Sequence, residues 1–280
     1  MTSRRPRAFS TEAVVLRHSD LGEADRLLTL LTPARGILRA TARGARRPTS
    51  KLGGHLDLLC YASLSVHEGR SLHTITQADT ISAFREMRRD IGRLSHGLYL
   101  AELAGGFSVE DAPAPAVFRL LVNALGWLES ADSPDLLVRW FELRLLSLTG
   151  FRPELYACVE CSSALEAEDH VFSPERGGIV CPACRGTGSD VLLPAAVPTI
   201  KVLRYLDRND YATVAGLQVD DEERRPVERL LRGHLHAVLD RSPRSAAFLD
   251  EVRRWPDAGP VPGGLQPPAP ASPPRPPPAS

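Results

Sequence analysis

Leu56-Asp57-Leu58-Leu59-Cys60-Tyr61-Ala62-Ser63-Leu64-Ser65-Val66-His67 alternates more cleanly than any other part of the chain. Leu56, Leu58, Cys60, Ala62, Leu64 and Val66 share one parity, and Asp57, Tyr61, Ser63, Ser65 and His67 mostly take the other. Successive strand residues face opposite sides, so the pattern predicts a half-buried β-strand over 56–67. Downstream, Glu68-Gly69-Arg70 reads as a turn and Leu72 to Ala78 as the second arm of a hairpin. Upstream stand the apolar run Ala13-Val14-Val15-Leu16 and a second run from Arg26 to Thr32, closed by Thr32-Pro33-Ala34-Arg35-Gly36. In Ile37 to Arg43, Leu38, Ala40 and Ala42 oppose Arg39, Thr41 and Arg43. Five short strands in about seventy residues fit a small closed barrel, of which the OB-fold is one type.

From about residue 82 the period becomes helical. Ile91, Leu94, Leu98 and Ala101 form one stripe, and Val117, Leu120, Leu121, Ala124 and Leu128 another. Ser133-Pro134 reads as an N-cap followed by proline at the first helical position. Leu137, Trp140, Phe141, Leu145 and Leu148 follow, with Gly150 placed as a C-terminal cap. Val197 to Leu206 and Val227 to Leu239 read as two further helices. The stretch 256–280 holds 11 of the 24 prolines and almost no large apolar residue, so it is expected to remain a disordered tail.

Composition narrows the class. The chain has 280 residues, 43% apolar and 24% charged, with a net charge of zero. That fits a globular protein with one large or two modest domains. The charge is uneven. Residues 1–52 carry eleven cations against Glu12, Asp20, Glu23 and Asp25, a local balance of 11 − 4 = +7. A basic segment on a neutral chain points to a local polyanion site, with a solvated arginine-rich face as the plainer alternative. No apolar run approaches a membrane span, and Met-Thr-Ser-Arg-Arg-Pro-Arg opens no export signal, so a cytoplasmic protein is expected.

Cys158-Val159-Glu160-Cys161 and Cys181-Pro182-Ala183-Cys184 are two Cys-x-x-Cys knuckles separated by nineteen residues. In a reducing compartment such pairs indicate a metal rather than disulfides. Two thiolates from each tight turn complete a tetrahedron, so one structural zinc held by Cys158, Cys161, Cys181 and Cys184 is expected. A site that has lost its metal and a redox Cys-x-x-Cys pair are the alternatives. Gly177-Gly178 would turn a hairpin between the knuckles, His170 is read as a spare loop residue, and Cys60 as a small buried hydrophobe. Cys158-Val159-Glu160 superficially imitates a zinc deaminase, but Val180 stands where that motif has proline and Cys161 would be a surplus ligand. No P-loop, nucleophile elbow or HExxH cluster appears, and a non-enzymatic protein is expected.

The leading binding candidate is Ala42-Arg43-Gly44-Ala45-Arg46-Arg47-Pro48-Thr49-Ser50-Lys51, read as a mobile loop between strands. Arg39, Arg43, Arg46, Arg47 and Lys51 would meet phosphates, helped by hydroxyl and backbone donors. Tyr61 is the one plausible stacking residue on an outward strand face.

These features together resemble the RecO family. The likeness runs through Ala13-Val14-Val15-Leu16, Gly22-Glu23-Ala24-Asp25-Arg26, Leu31-Thr32-Pro33, Ala42-Arg43-Gly44-Ala45-Arg46-Arg47, Tyr99-Leu100-Ala101-Glu102-Leu103, Phe141-Glu142-Leu143-Arg144-Leu145-Leu146, Gly150-Phe151-Arg152-Pro153, the knuckles and Arg244-Ser245-Ala246-Ala247-Phe248-Leu249. It covers residues 12–253, and the proline tail departs from it. The resemblance implies an OB-fold domain at 1–81, then a helical domain at 82–255 with a zinc module at 155–190, then the tail at 256–280. It implies a nucleoid-associated DNA repair and recombination mediator, monomeric alone. Such a protein would bind single- and double-stranded DNA, anneal complementary strands, contact RecR and the single-strand-binding protein, and help load RecA. A zinc-ribbon RNA-binding or transcription accessory protein is the alternative reading of the same residues.

Overall fold

The computed structural model describes residues 8–70, 72–186 and 191–254; the proline-rich stretch 256–280 lies outside the described residues. The fold is mixed α+β, with an N-terminal sheet domain and a helical C-terminal domain. Five strands come first: β1 (Ala8–Leu21), β2 (Asp25–Thr32), β3 (Gly36–Ala42), β4 (Tyr61–His67) and β5 (His73–Ser82). They close into a barrel in the order β1-β2-β3-β5-β4. All neighbours are antiparallel except β3 and β5, which run parallel through Ala40–His73 and Thr41–Thr74.

β1 extends well beyond the apolar run at 13–16 because two partners use it in turn. Its first half, Ala8 to Val14, pairs with β4, and Val14 to Leu21 pairs with β2. The ladder thus continues through exposed polar residues that carry no apolar signal. The strand expected over 56–67 begins only at Tyr61. Leu59 takes φ 61°, its N–H donates to Val15 O at 2.7 Å, and the Val15 N–H donates to Cys60 O at 3.0 Å. The break has a packing cause: Leu56 and Cys60 fill the barrel, whereas Leu59 belongs to the helical core. A strict alternation cannot serve both.

The helical domain contains α1 (Arg85–Arg89), α2 (Ile91–Gly106), α3 (Pro115–Leu128) and α4 (Pro134–Leu148). A small sheet follows, made of β6 (His170–Ser173), β7 (Gly178–Val180) and β8 (Leu193–Ala195). The chain then forms α5 (Val197–Arg208), α6 (Tyr211–Val214), α7 (Asp221–Leu239) and α8 (Arg244–Arg253). Ser133 does occupy the N-cap of α4, but its side chain makes no capping bond. Gly150 has φ 86°, and the Phe151 N–H reaches back to Leu146 O at 2.8 Å, so the glycine ends α4 as its position suggests. Leu148, expected on the buried stripe, lies on the surface at 49% exposure.

The domains share one apolar boundary. Val15, Leu28, Leu30, Leu38 and Ala40 point into the barrel. Val14, Leu31 and Leu59, on opposite parity or outside the alternation, join the helical core. Each such side chain contributes roughly 1.5–3 kcal/mol through burial. A second seam forms where the segment after α2 lies along β3. The Ile37 N–H donates to Val109 O at 3.1 Å, and the Asp111 N–H to Ile37 O at 3.4 Å. Gly36 sits in this seam at φ 56°, where a Cβ would stand 2.3 Å from Ala112 O and 2.5 Å from Val109 O. Gly36→Ala should therefore lose about 1–3 kcal/mol to backbone strain alone, before the clash. Thermal melting should show a clear fall in Tm; an unchanged Tm would mean the seam yields freely.

Candidate metal centre and nucleic-acid interface

The two knuckles converge. The four sulfurs of Cys158, Cys161, Cys181 and Cys184 all lie within 4.8 Å of one another, and Cys158 is buried. The local backbone explains why. The Cys158 N–H donates to Ser163 O at 2.9 Å and the Ser162 N–H to Cys158 O at 2.8 Å, curling the first knuckle through Ser162 at φ 60°. Val159 N–H straps it to Ile179 O of β7 at 2.9 Å. The second knuckle is a single 3-10 turn, Pro182–Cys184, closed by Cys184 N–H to Cys181 O at 3.0 Å. Gly178 has no room for a side chain, because a Cβ there would meet Val159 Cγ1 at 2.4 Å and Glu154 O at 2.8 Å.

The electrostatics fit a cation. Burial pushes the Cys158 thiol up, but backbone N–H groups of Cys181, Cys161 and Glu160 outweigh it and leave it lowered. The Ser163 hydroxyl and backbone N–H bring Cys161 down to about 6, while Cys184, beside Cys181 and the other sulfurs, is pushed up to about 12. Four crowded thiols release their first proton easily and their last with difficulty, and a divalent ion relieves that repulsion. The cluster can hold a metal ion. His170 stays outside it. It opens β6 rather than lying in a loop, is buried, and its Nε2 lies 3.0 Å from Glu166 O. Glu160, the would-be deaminase base, is ion-paired with Arg176 instead.

The basic segment after β3 is a hydrogen-bonded run of turns rather than a loose loop. Ala45 is buried in the barrel core, Gly44 turns at φ 66°, and its N–H donates to Asp25 Oδ1 at 2.8 Å. Arg46 N–H donates to Ala24 O at 2.9 Å. The Arg46 guanidinium bonds the carbonyls of Gly22 and Glu23, each at 3.2 Å, and pairs with Asp20 at 3.2 Å. Arg46 is thus a brace between this segment and the β1–β2 turn. Arg39 has Glu110 at 3.8 Å. Arg43, Arg47 and Lys51 are exposed and have no acidic partner among the described residues. Of the five cations, three are free to meet an external anion.

Tyr61 is not free as a stacking surface. Its hydroxyl donates to Glu12 Oε2 at 2.7 Å, and its ring packs edge-on against Phe118 at 5.9 Å. Burial and the Glu12 carboxylate push its phenol up to about 12. It serves the boundary between the domains.

Sequence reasoning passed over a second arginine site. A cleft of about 280 Å³ is lined by Arg139, Arg224, Arg225 and Arg253, by Leu136, Val202 and Val219, and by Asp135, Asp221 and Glu228. The Arg139 side chain is 5% exposed and lies 3.1 Å from Glu142 and 4.0 Å from Glu228, yet its nitrogens make no hydrogen bond among the described residues. The one clue in sequence is polar Arg139 and Glu142 within the apolar run of α4, three residues apart on one helix face.

A closed barrel bearing a basic turn, joined to a helical domain that carries a four-cysteine cluster able to hold a metal ion, defines the class of scaffold. Comparison with known proteins makes the assignment specific. The model of the recombination protein O N terminal matches residues 7–84, and that of the recombination protein O C terminal matches residues 88–247. The chain is 39% identical over 249 residues to the DNA repair protein RecO of Dehalococcoides mccartyi, covering 89% of this chain and 98% of that one. It is 40% identical to RecO of a Roseiflexus species, covering 89% and 88%. It is 37% identical to RecO of Desulforudis audaxviator, covering 87% and 97%. The chain belongs to the RecO family of DNA repair and recombination proteins. No helix among the described residues is long and apolar enough to cross a membrane.

Proposed function

We propose that this protein is a recombination mediator that binds single- and double-stranded DNA, anneals complementary strands and, with RecR, helps load RecA. The observation that carries this reading is the ordered basic turn on the barrel of a RecO-family chain, with Arg43, Arg47 and Lys51 free of acidic partners. We read the barrel, with its order β1-β2-β3-β5-β4, as an OB-fold spanning 1–81. The helical domain takes 82–255, with the zinc module at 155–190. Backbone phosphates would be met by the arginine forks and by Lys51, with Arg39 joining when phosphate displaces Glu110. The work is binding and alignment, without bond chemistry, so the protein acts as a non-enzyme.

The metal is zinc. Zinc bonds thiolate sulfur at about 2.3 Å, which places the sulfurs of a tetrahedron about 3.8 Å apart. Cys161 and Cys181 stand 3.8 Å apart. Cys158, Cys161, Cys181 and Cys184 would hold one ion with no position left for water, and its role is to staple the hairpin.

The family also points to RecR and the single-strand-binding protein as partners of a chain that is monomeric alone, working on the nucleoid in the cytoplasm.

The test is a salt titration of oligonucleotide binding, with single strand, duplex and RNA compared, followed by calorimetry with the cognate RecR. DNA affinity should fall with log salt at about −0.7 per phosphate neutralised on single strands, and a RecR complex should form. Preference for RNA with no RecR complex would point to the RNA-binding alternative.

A further inference from the structure

A second cationic surface lies far along the sequence from the barrel turn. On α5, Lys201, Arg204, Tyr205 and Arg208 follow the i, i+3, i+4, i+7 spacing of one helix face, while Ile200, Leu203 and Leu206 are buried on the other. Such a face is commonly a solvated one. Here two features set it apart.

The first is order. The Arg204 guanidinium lies 5.0 Å from the ring centre of Tyr156 and that of Arg208 lies 4.6 Å from it. Arg208 Nε donates to the Tyr156 hydroxyl at 2.9 Å, and Arg204 Nε donates to Leu155 O at 2.8 Å. Tyr156 thus holds two guanidiniums in place with further N–H donors left over, so less rotamer entropy is lost when they meet an anion. The nearby carboxylates already have partners, although only Asp207 is buried and Glu154 and Asp210 are exposed. Asp207 is buried and takes both Arg152 and the Tyr156 hydroxyl, Glu154 accepts the N–H groups of Tyr156 and Ala157, and Asp210 caps α6.

The second is an aromatic. Tyr205 is 37% exposed, and its side chain has no ring or hydrogen-bond partner among the described residues. An exposed tyrosine among cations is what a single strand uses: phosphates on the charges, a base on the ring. A duplex keeps its bases stacked and has no use for the ring.

We infer that the outer face of α5, with Tyr156 as its organiser, is a second binding site for single-stranded nucleic acid, separate from the basic turn of the barrel. The inference rests on the annealing function proposed above, and it supplies what annealing needs, a second strand held on the same molecule. Arg204 and Arg208 order that strand's phosphates, Lys201 adds a mobile charge, and Tyr205 stacks a base.

The experiment titrates the full-length protein with a short labelled oligothymidylate and measures the annealing rate of two complementary strands. Two variants are compared with the parent: Lys201→Ala/Tyr205→Ala/Arg208→Ala, and Lys201→Ala/Tyr205→Ala, which leaves the Arg208–Tyr156 bond intact should the triple variant fold poorly. The parent should saturate with two oligonucleotides per chain and the variants with one. Annealing by the variants should slow by at least about tenfold, the size expected when a stacked base and its neighbouring charges are lost. Parent saturation at one oligonucleotide, or variants that keep both stoichiometry and rate, would overturn the second site while leaving the barrel reading in place. Two further variants, Lys201→Ala/Arg208→Ala and Tyr205→Ala, separate charge from stacking: a site lost on the first but untouched by the second would show a general polyanion surface and overturn the single-strand assignment. A parent that binds no oligothymidylate at all defeats both readings.

Discussion

Replacing Arg43 and Arg47 with alanine should weaken DNA binding about 10- to 100-fold at moderate salt and flatten its salt dependence by roughly 0.7 for each single-strand phosphate no longer neutralised. The effect should be similar for all sequences, because phosphate contacts carry no base information. Stability should hold, since both side chains are exposed and neither makes an ion pair among the described residues. Arg46→Ala is expected to behave differently. It removes the Asp20 pair and the bonds to Gly22 and Glu23, so it should lower stability by about 1 kcal/mol and affect affinity mainly by loosening the turn. Filter binding across a salt series, with a thermal melt of each variant, separates the two. If Arg43→Ala/Arg47→Ala binds like the parent while Arg46→Ala does not, the contact surface lies on the β1–β2 turn instead.

Removing the metal should have the larger effect on the fold. The module between α4 and α5 has a short three-stranded sheet, and its buried Leu155, Phe172 and Ile179 lean on the helical core rather than forming a core of their own. The two knuckles themselves are tight turns on the outer side of that sheet, and a metal would be what ties them together. Cys158→Ser or Cys184→Ser should therefore lower stability by about 3–5 kcal/mol, on the order of 10 °C in Tm. The damage should spread. His234 of α7 places Nδ1 2.8 Å from Pro174 O and Nε2 2.9 Å from Phe151 O, and Arg204 holds Leu155 O, so a loosened module also loosens α5 and α7. Acid should mimic the substitutions. Metal binding needs deprotonated thiols, so affinity falls as pH falls and protons compete for the sulfurs. Elemental analysis of protein prepared without chelators should give one zinc per chain; finding none would refute the structural-metal account.

Much of this was legible in the residues themselves. Alternation read over 56–67 gave β4 from Tyr61 onward but placed its start five residues too early, the stripes through Val117 and Leu137 gave α3 and α4, and the knuckle spacing picked out the four sulfurs that do converge. What was missed depends on partners distant in the chain. Leu59 leaves the strand because a second core lies outside the barrel wall. Tyr61 turns to Glu12 and Phe118, forty-nine and fifty-seven positions away, instead of to solvent. Arg46 looks the same as Arg43 in sequence, and only the fold of the β1–β2 turn separates the braced arginine from the unpaired one. The Arg139 cleft needs α4, α5, α7 and α8 together before it exists.

The most direct test of the central proposal is strand annealing in the absence of nucleotide. Two complementary labelled strands are mixed with the full-length protein at low and moderate salt, with and without ATP. The proposal predicts acceleration well above the protein-free rate, loss of that acceleration as salt rises, no response to ATP, and a strong deficit for Arg43→Ala/Arg47→Ala. An unaccelerated rate at low salt, or an acceleration that requires ATP, would contradict it.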